Sequence, residues 1–217
     1  MEEKKIKMKV ARPKLDKYLD IIELSGENIV DETIFSSGTI SDCSLENQEA
    51  DRIIFEQVIF KNVVFNKIAF RRIDLVDVRF INCNLSNVDF NEASLHRVEF
   101  INCKIIGINL SEATLRDAVF ENCNSEYASF SYSNCKQVAF RQCQLRFSDF
   151  KNSNFTKVEF QESDLLKAHM NFTSLKGIDF TRCDIEGMDV NIADVNGAIV
   201  TAMQAASLSA ILGLIIK

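Results

Sequence analysis

The feature that most constrains this chain is a five-residue period. From Phe35 to Val200 every fifth residue is apolar, and of those 34 positions only Ser125 is polar. The chain contains 17 phenylalanines, and 15 fall in this one register; Phe147 and Phe172 are the exceptions. Random placement would put about a fifth of them there, so the pattern marks an internal repeat. A second register lies two residues earlier. It runs Val58, Val63, Ile68, Ile73, Val78, Cys83, Val88 and onward, and is small or β-branched. The other three positions of each block are mostly Asn, Asp, Ser, Glu, Lys and Arg. Neither the 3.6-residue helix nor the two-residue strand gives this pattern. A chain that shows two residues inward, turns and repeats does give it, and such a chain is an all-β solenoid.

A higher period sets the number of sides. Phe60, Phe80, Phe100, Phe120, Phe140, Phe160 and Phe180 recur at every fourth block without a gap, and Cys83, Cys103, Cys123 and Cys143 keep the same spacing. Four blocks of five therefore make one coil, and positions separated by four blocks lie above one another. The phenylalanines are expected to form one stacked core column. The cysteines read as small buried hydrophobes. Stacked neighbours would be about 4.8 Å apart, but side chains in register point alike, which disfavours disulfides and is the wrong shape for tetrahedral zinc. Seven cysteines, an odd count, and no apolar signal segment point to a reducing cytoplasm.

Three segments follow. Residues 1–26 form a basic N-terminal segment, 27–200 the repeat, and 201–217 a distinct tail. Residues 1–20 carry seven Lys/Arg against four acids. Leu15, Tyr18, Leu19 and Ile22 have helical spacing after Pro13, which predicts a short amphipathic helix capping the first coil. The other reading is a basic arm for nucleic acid. Gly38, Gln48 and Ala50 are poor core residues, so the first coil should be irregular; about eight coils are expected by residue 198. From Ala198 to Ile216 there is no charge. A helix near 202–212, Gly213 as its C-cap and a strand at 214–216 are expected. An apolar tail fits dimerisation through Met203, Ala206, Ser207, Leu208, Ile211, Leu212, Leu214 and Ile216; a simple cap and a membrane anchor are the alternatives.

Asn-Leu-Ser-Asn-Val-Asp-Phe at 84–90 and Ser-Asp-Phe-Lys-Asn-Ser-Asn-Phe at 148–155 closely resemble the pentapeptide-repeat family. The resemblance implies a right-handed quadrilateral β-helix with one pentapeptide per face. Gln204-Ala-Ala-Ser-Leu208 followed by Leu212-Gly213-Leu-Ile-Ile resembles the ending of the Qnr- and MfpA-type fluoroquinolone-resistance members. In that branch the C-terminal helix and strand pair two rods tail to tail. No loop interrupts the repeat, so the likeness is to the loop-free members.

No catalytic constellation, cofactor motif or metal-spaced set stands out. His96 and His169 lie in outward registers and on different coils. An enzyme is not expected, and the outer surface is what remains. The whole chain is −6 and residues 1–20 carry +3, so the remainder carries −9. Acids gather toward the C-terminal coils at Glu159, Glu162, Asp164, Asp179, Asp184, Glu186, Asp189 and Asp194. The Qnr-like resemblance implies that this acidic rod mimics duplex DNA on DNA gyrase or topoisomerase IV, without binding nucleic acid itself. The alternative is an interaction scaffold with another protein partner. Tyr127, Tyr132, Phe147 and Phe172 share an outward position; they read either as a contact patch or as rings sheltered at the solenoid corners.

Overall fold

The structure, a computed structural model, describes residues 8–24 and 29–214. Each coil takes four five-residue blocks, as the register predicts. Strands β2 (Ile34–Ser41), β4 (Ile54–Lys61), β6 (Asp74–Ile81), β7 (Ser94–Ile101), β8 (Thr114–Glu121), β9 (Asn134–Arg141) and β10 (Asn154–Gln161) stack in one parallel sheet, begun by the short β1 (Asp20–Ile21). From β2 onward each strand pairs with the same position one coil later, as in Phe80↔Phe100 and Phe100↔Phe120. The opposite faces hold one strand pair, β3 (Ser44–Asp51) with β5 (Val64–Arg71), and thereafter meet through single bridges such as Asn84↔Lys104 and Asp89↔Asn109. The result is a parallel β-solenoid of about seven turns. That is one fewer than expected; the last strand ends at Gln161, and beyond it the coils meet through single bridges such as Asp164↔Asp184 and Asp179↔Ile199.

The two inward registers build the core. Phe60, Phe80, Phe100, Phe120 and Phe140 stack in one file with ring centroids 4.7–4.8 Å apart and planes within 8° of parallel. The file widens toward its end, to 5.1 Å at Phe160 and 5.8 Å at Phe180. Phe130 and Phe150 form a second stack, at 84° and 83° to Phe140 and thus edge-on to the first. Such pairs add to simple burial, about 0.5–1.5 kcal/mol each.

Cys83, Cys103, Cys123 and Cys143 are buried and unbridged. Their role is more specific than that of small hydrophobes. The Cys83, Cys123 and Cys143 thiols donate to the carbonyl oxygens of Phe60, Phe100 and Phe120 at 3.3–3.5 Å. Ser153 and Thr173 hold equivalent positions and donate to the Phe130 and Phe150 carbonyls at 2.7 Å. Beside its Val, Ile and Ala, the register therefore also admits Cys, Ser or Thr, each small and each able to donate to a buried carbonyl. Ser125, the one polar residue in the central register, is buried with its hydroxyl unpartnered.

Every fifth residue from Glu32 to Phe172 turns a corner with positive φ; Gly107 is the only glycine among them. For an L residue this left-handed conformation costs about 1–2 kcal/mol. The corner is offset by pairing, since it aims its own N–H at the next coil: Asn62 N donates to Ile81 O at 2.9 Å and Asn82 N to Ile101 O at 3.0 Å. Asn tolerates this region best among non-glycine residues. It recurs at 62, 82, 102 and 122, where the side-chain amides form a ladder, with Asn62 donating to Asp42 at 2.7 Å and Asn82, Asn102 and Asn122 each donating to the one below at 3.3–3.4 Å.

The N-terminal segment departs from expectation. Residues 14–22 do not form a helix; only Asp20–Ile21 is regular, and it is a strand paired with Gly38 and Thr39. The segment is an extended strap that runs down the outside of the main sheet. Met8 N donates to Glu159 at 3.3 Å, Ala11 N to Asp117 at 3.1 Å and Lys14 N to Asp77 at 2.8 Å, while Ser37 Oγ donates to Asp16 at 3.3 Å. A short helix has a costly nucleus, and here the rod supplies backbone partners that an isolated helix would lack.

Candidate partner-binding surfaces

The C-terminal end is built on one side chain. Thr201 caps helix α1 (Ala202–Leu208), accepting from Gln204 N at 3.2 Å while Gln204 Oε1 accepts from Thr201 N at 2.9 Å. The same Gln204 amide donates to the carbonyls of Phe180 at 2.9 Å and Cys183 at 2.8 Å, closing the last coil. A 3-10 turn (Ser209–Leu212) follows, and Gly213 ends it with φ 72°. The helix and its glycine cap are where the sequence puts them. Leu214 is in no strand, and Ile215 and Ile216 lie outside the described residues.

The expected dimer residues divide into two sets. Leu208 and Ile211 pack against the rod's own core, which removes them from an outward face. Met203, Ala206, Ser207, Leu212 and Leu214 are exposed, Met203 at 82%. Gln204, Leu208 and Ile211 share one face by their spacing, so the other faces outward.

The eight C-terminal acids are mostly tied to neighbours. Glu159 accepts from Arg141 at 3.0 Å as well as from the strap, Asp164 from Arg146 at 2.5 Å, and Glu162 pairs with Arg182. Asp194 accepts from the Phe172 and Asn191 amides at 2.8 and 3.2 Å and from the Asn191 side chain at 2.8 Å, and so shapes the last turn. Asp189 accepts from Asn171 at 3.1 Å and contacts His169 at 3.2 Å; these contacts outweigh desolvation and hold its carboxyl below the usual range. Asp179 bonds Thr181, and Asp184 accepts from Glu186 N. Asp164 and Asp184 stack as a bridge pair. Glu162, Asp184, Glu186 and Asp189 are exposed.

Two of the outward aromatics meet as the coil period predicts. Tyr127 stacks on Phe147 with centroids 5.1 Å apart and planes 4° from parallel, and Lys167 lies over Phe147 at 5.7 Å. Tyr132 and Phe172 are exposed in the next column.

The most buried charges on the outer surface were not singled out by the sequence reading. Asp77, Glu99 and Asp117 are all under 9% exposed. Arg97 grips Asp77 through Nε at 2.5 Å and Nη2 at 2.6 Å, and Arg79 donates to Glu99 at 2.7 Å. Beside them Val119 and Ala139 are buried although they point outward. Apolar residues at two outward positions, one coil apart, were the available signal of a covered face.

Among the described residues no helix is long and apolar enough to cross a membrane, and no group of three or more His, Cys, Asp or Glu could hold a metal ion.

Comparison with known proteins gives the family. A pentapeptide repeat region model matches residues 93–170, and the pentapeptide repeats (8 copies) model matches 73–111. No curated protein matches. Among solved structures, a trypsin-treated variant of QnrB1, a plasmid-mediated fluoroquinolone resistance protein, is 21% identical, covering 85% of this chain and 99% of its own at a TM-score of 0.45. HetL, a pentapeptide repeat protein involved in heterocyst differentiation regulation from the cyanobacterium Nostoc sp. strain PCC 7120, is 14% identical over 78% of this chain and 85% of its own, with a TM-score of 0.37. A pentapeptide repeat protein from the Arabidopsis thaliana thylakoid lumen is 23% identical over 52% of this chain and 72% of its own, with a TM-score of 0.34. The family matches fall on coils with regular corners and stacked ladders, and residues 73–170 of this chain are a pentapeptide-repeat region.

Proposed function

We propose that this chain is a non-enzymatic rod that binds a type II topoisomerase, DNA gyrase or topoisomerase IV, as a partial mimic of duplex DNA, and so lowers fluoroquinolone action. The observation that carries the reading is the C-terminal end. Gln204 seals the last coil while Met203, Ser207, Leu212 and Leu214 are exposed, within the stretch that resembles the Qnr- and MfpA-type tail. Two copies paired through this end would bring Asp184, Glu186 and Asp189 of each rod to the middle of a longer one. Duplex DNA carries one charge per about 1.7 Å. The rod is a net −9 and many of its acids are paired, so its shape has to contribute to binding as well. A cytoplasmic location follows from this partner and fits seven unbridged cysteines.

The test is a gyrase supercoiling assay with the full chain. Micromolar protein should inhibit supercoiling or relieve ciprofloxacin poisoning, and the effect should shrink as salt rises. Absence of both effects at that level sinks the reading. A second reading, a scaffold for some other protein, is favoured by the exposed Tyr127, its stack on Phe147, and the exposed Tyr132 and Phe172, since aromatics are enriched at protein interfaces. Recovery of a non-topoisomerase partner that is lost on Tyr127→Ala would support it.

A further inference from the structure

The strap shows how the main sheet recognises a peptide. The contacts at Met8, Ala11 and Lys14 are all made by the peptide's backbone: each amide donates to a carboxylate of the rod, and the Met8 carbonyl accepts from Arg141 at 3.4 Å. The donors are every third residue, which is the repeat of polyproline II backbone. The carboxylates are charged side chains held ready by the rod. Asp77 is fixed by two bonds from Arg97, Glu159 by Arg141, and Asp117 accepts from Gln137 at 3.2 Å. Between them Val119 and Ala139 give an apolar floor. Of the strap's own side chains, Asp16 accepts from Ser37 at 3.3 Å, and the basic ones carry their charge along the row of acids. Lys9, Ala11, Arg12, Lys14, Lys17 and Tyr18 are exposed, and Arg12 only approaches Glu99, at 4.0 Å. A trough that reads backbone amides and positive charge is selective for a conformation and a composition more than for a particular sequence.

We propose that this acidic trough, from Asp77 through Glu99 and Asp117 to Glu159, is a docking site for an extended, Lys/Arg-rich segment of a protein partner, and that residues 8–17 occupy it in cis until displaced. The occupant is extended because the amides must fall every third residue. It is basic because three charged acceptors and Glu99 line the path. Tethering gives the strap an effective concentration on the order of millimolar, so a partner segment competes only when it binds better or arrives with other contacts. The proposal is independent of which protein the rod serves.

The experiment uses full-length protein and a labelled peptide of residues 4–20 of this chain as the probe. Ala11→Pro with Lys14→Pro removes two donating N–H groups while keeping the extended φ. This variant should bind the peptide at least tenfold more tightly than the unaltered protein does. The binding should weaken as salt is raised from about 50 to 300 mM. Adding Asp77→Asn and Asp117→Asn should abolish it. Failure of the peptide to bind the released variant, or binding that ignores the two Asp changes, overturns the proposal. Hydrogen exchange on the unaltered protein is a separate check that needs no variant. The Ala11 and Lys14 amides should exchange at least a hundredfold faster than ladder amides such as Val98. Equal protection would mean the strap is a fixed part of the fold and would overturn the proposal as well.

Discussion

Ile22 occupies the space that a side chain at Gly38 would need. A Cβ built on Gly38 would stand 2.2 Å from Ile22 Cδ1 and 2.4 Å from Cγ1. The glycine is thus a socket in the first coil, and the strap's end is the plug. Gly38→Ala should displace Ile22 and destabilise the protein by about 1–3 kcal/mol. Urea unfolding measures the cost. In a double-mutant cycle Ile22→Ala should relieve most of it, because the clash is with that one side chain.

The Asp77 latch should open in acid. Burial alone would raise its carboxyl, but Arg97 and the Lys14 N–H outweigh it and hold the pKa below the ordinary 3.8. A carboxyl depressed in the folded state contributes its full stability above the unfolded value, and the contribution is lost as pH falls through the folded one. The Lys14 amide, followed by NMR from pH 7 downward, should therefore lose its bond only below pH 3.8. At pH 7 Asp77→Ala leaves Arg97 without its partner and should cost about 3 kcal/mol.

The thiols should be inert in the folded protein. Burial pushes Cys135 up to about 12, and Cys103 is pushed to about 12, first by its hydrogen bond with Cys123 and then by burial. Of the seven cysteines only Cys43 is half-buried; the rest are buried. A colorimetric thiol reagent at pH 8 should label at most Cys43 before denaturation and all seven after it. Rapid reaction of more than one in the native state would contradict the closed ladder.

Corners should punish β-branched residues. Asn102 turns at φ 53° and its amide bonds Asn82. Asn102→Val should cost about 1–2 kcal/mol from backbone strain. Asn102→Gly should be close to neutral, because relief of that strain offsets two long side-chain bonds of 3.4 and 3.3 Å. Thermal unfolding of the pair distinguishes strain from lost hydrogen bonding.

Removal of residues 201–217 should leave a monomer, its last coil opened by the loss of Gln204, Leu208 and Ile211 but the rest of the rod folded, if the outward side of α1 pairs two copies. Light scattering reads the mass. A truncated protein that stays dimeric would assign the interface elsewhere. Met203→Asp should weaken the dimer with little effect on the rod, since Met203 is 82% exposed, whereas Leu208→Asp should damage the rod end itself.

The coil was legible because its signal is repeated: Phe80, Phe100 and Phe120 had only one place to go once their spacing was read. The corners were less so. A polar residue at most of the corner positions is visible, but that it must take positive φ follows from the ladder N–H groups, which the sequence does not display. The strap was not legible, because Leu15, Tyr18, Leu19 and Ile22 do have helical spacing; what overrides it is a row of carboxylates far along the chain, at Asp77, Asp117 and Glu159. The tail helix was legible from its caps, Thr201 and Gly213. Which of its faces is covered was not, because Gln204's bonds to Phe180 and Cys183 are long-range.

Three residues of extended strap span about 9.3 Å, and two coils rise about 9.6 Å. The two lattices are therefore commensurate, like the scales of a vernier, with coincidences at Lys14, Ala11 and Met8. Growth of the rod by duplication of a single coil would throw the strap out of phase by half a period. Growth by two coils, with three residues added to the strap, would restore it, so a lineage of such rods should lengthen two coils at a time.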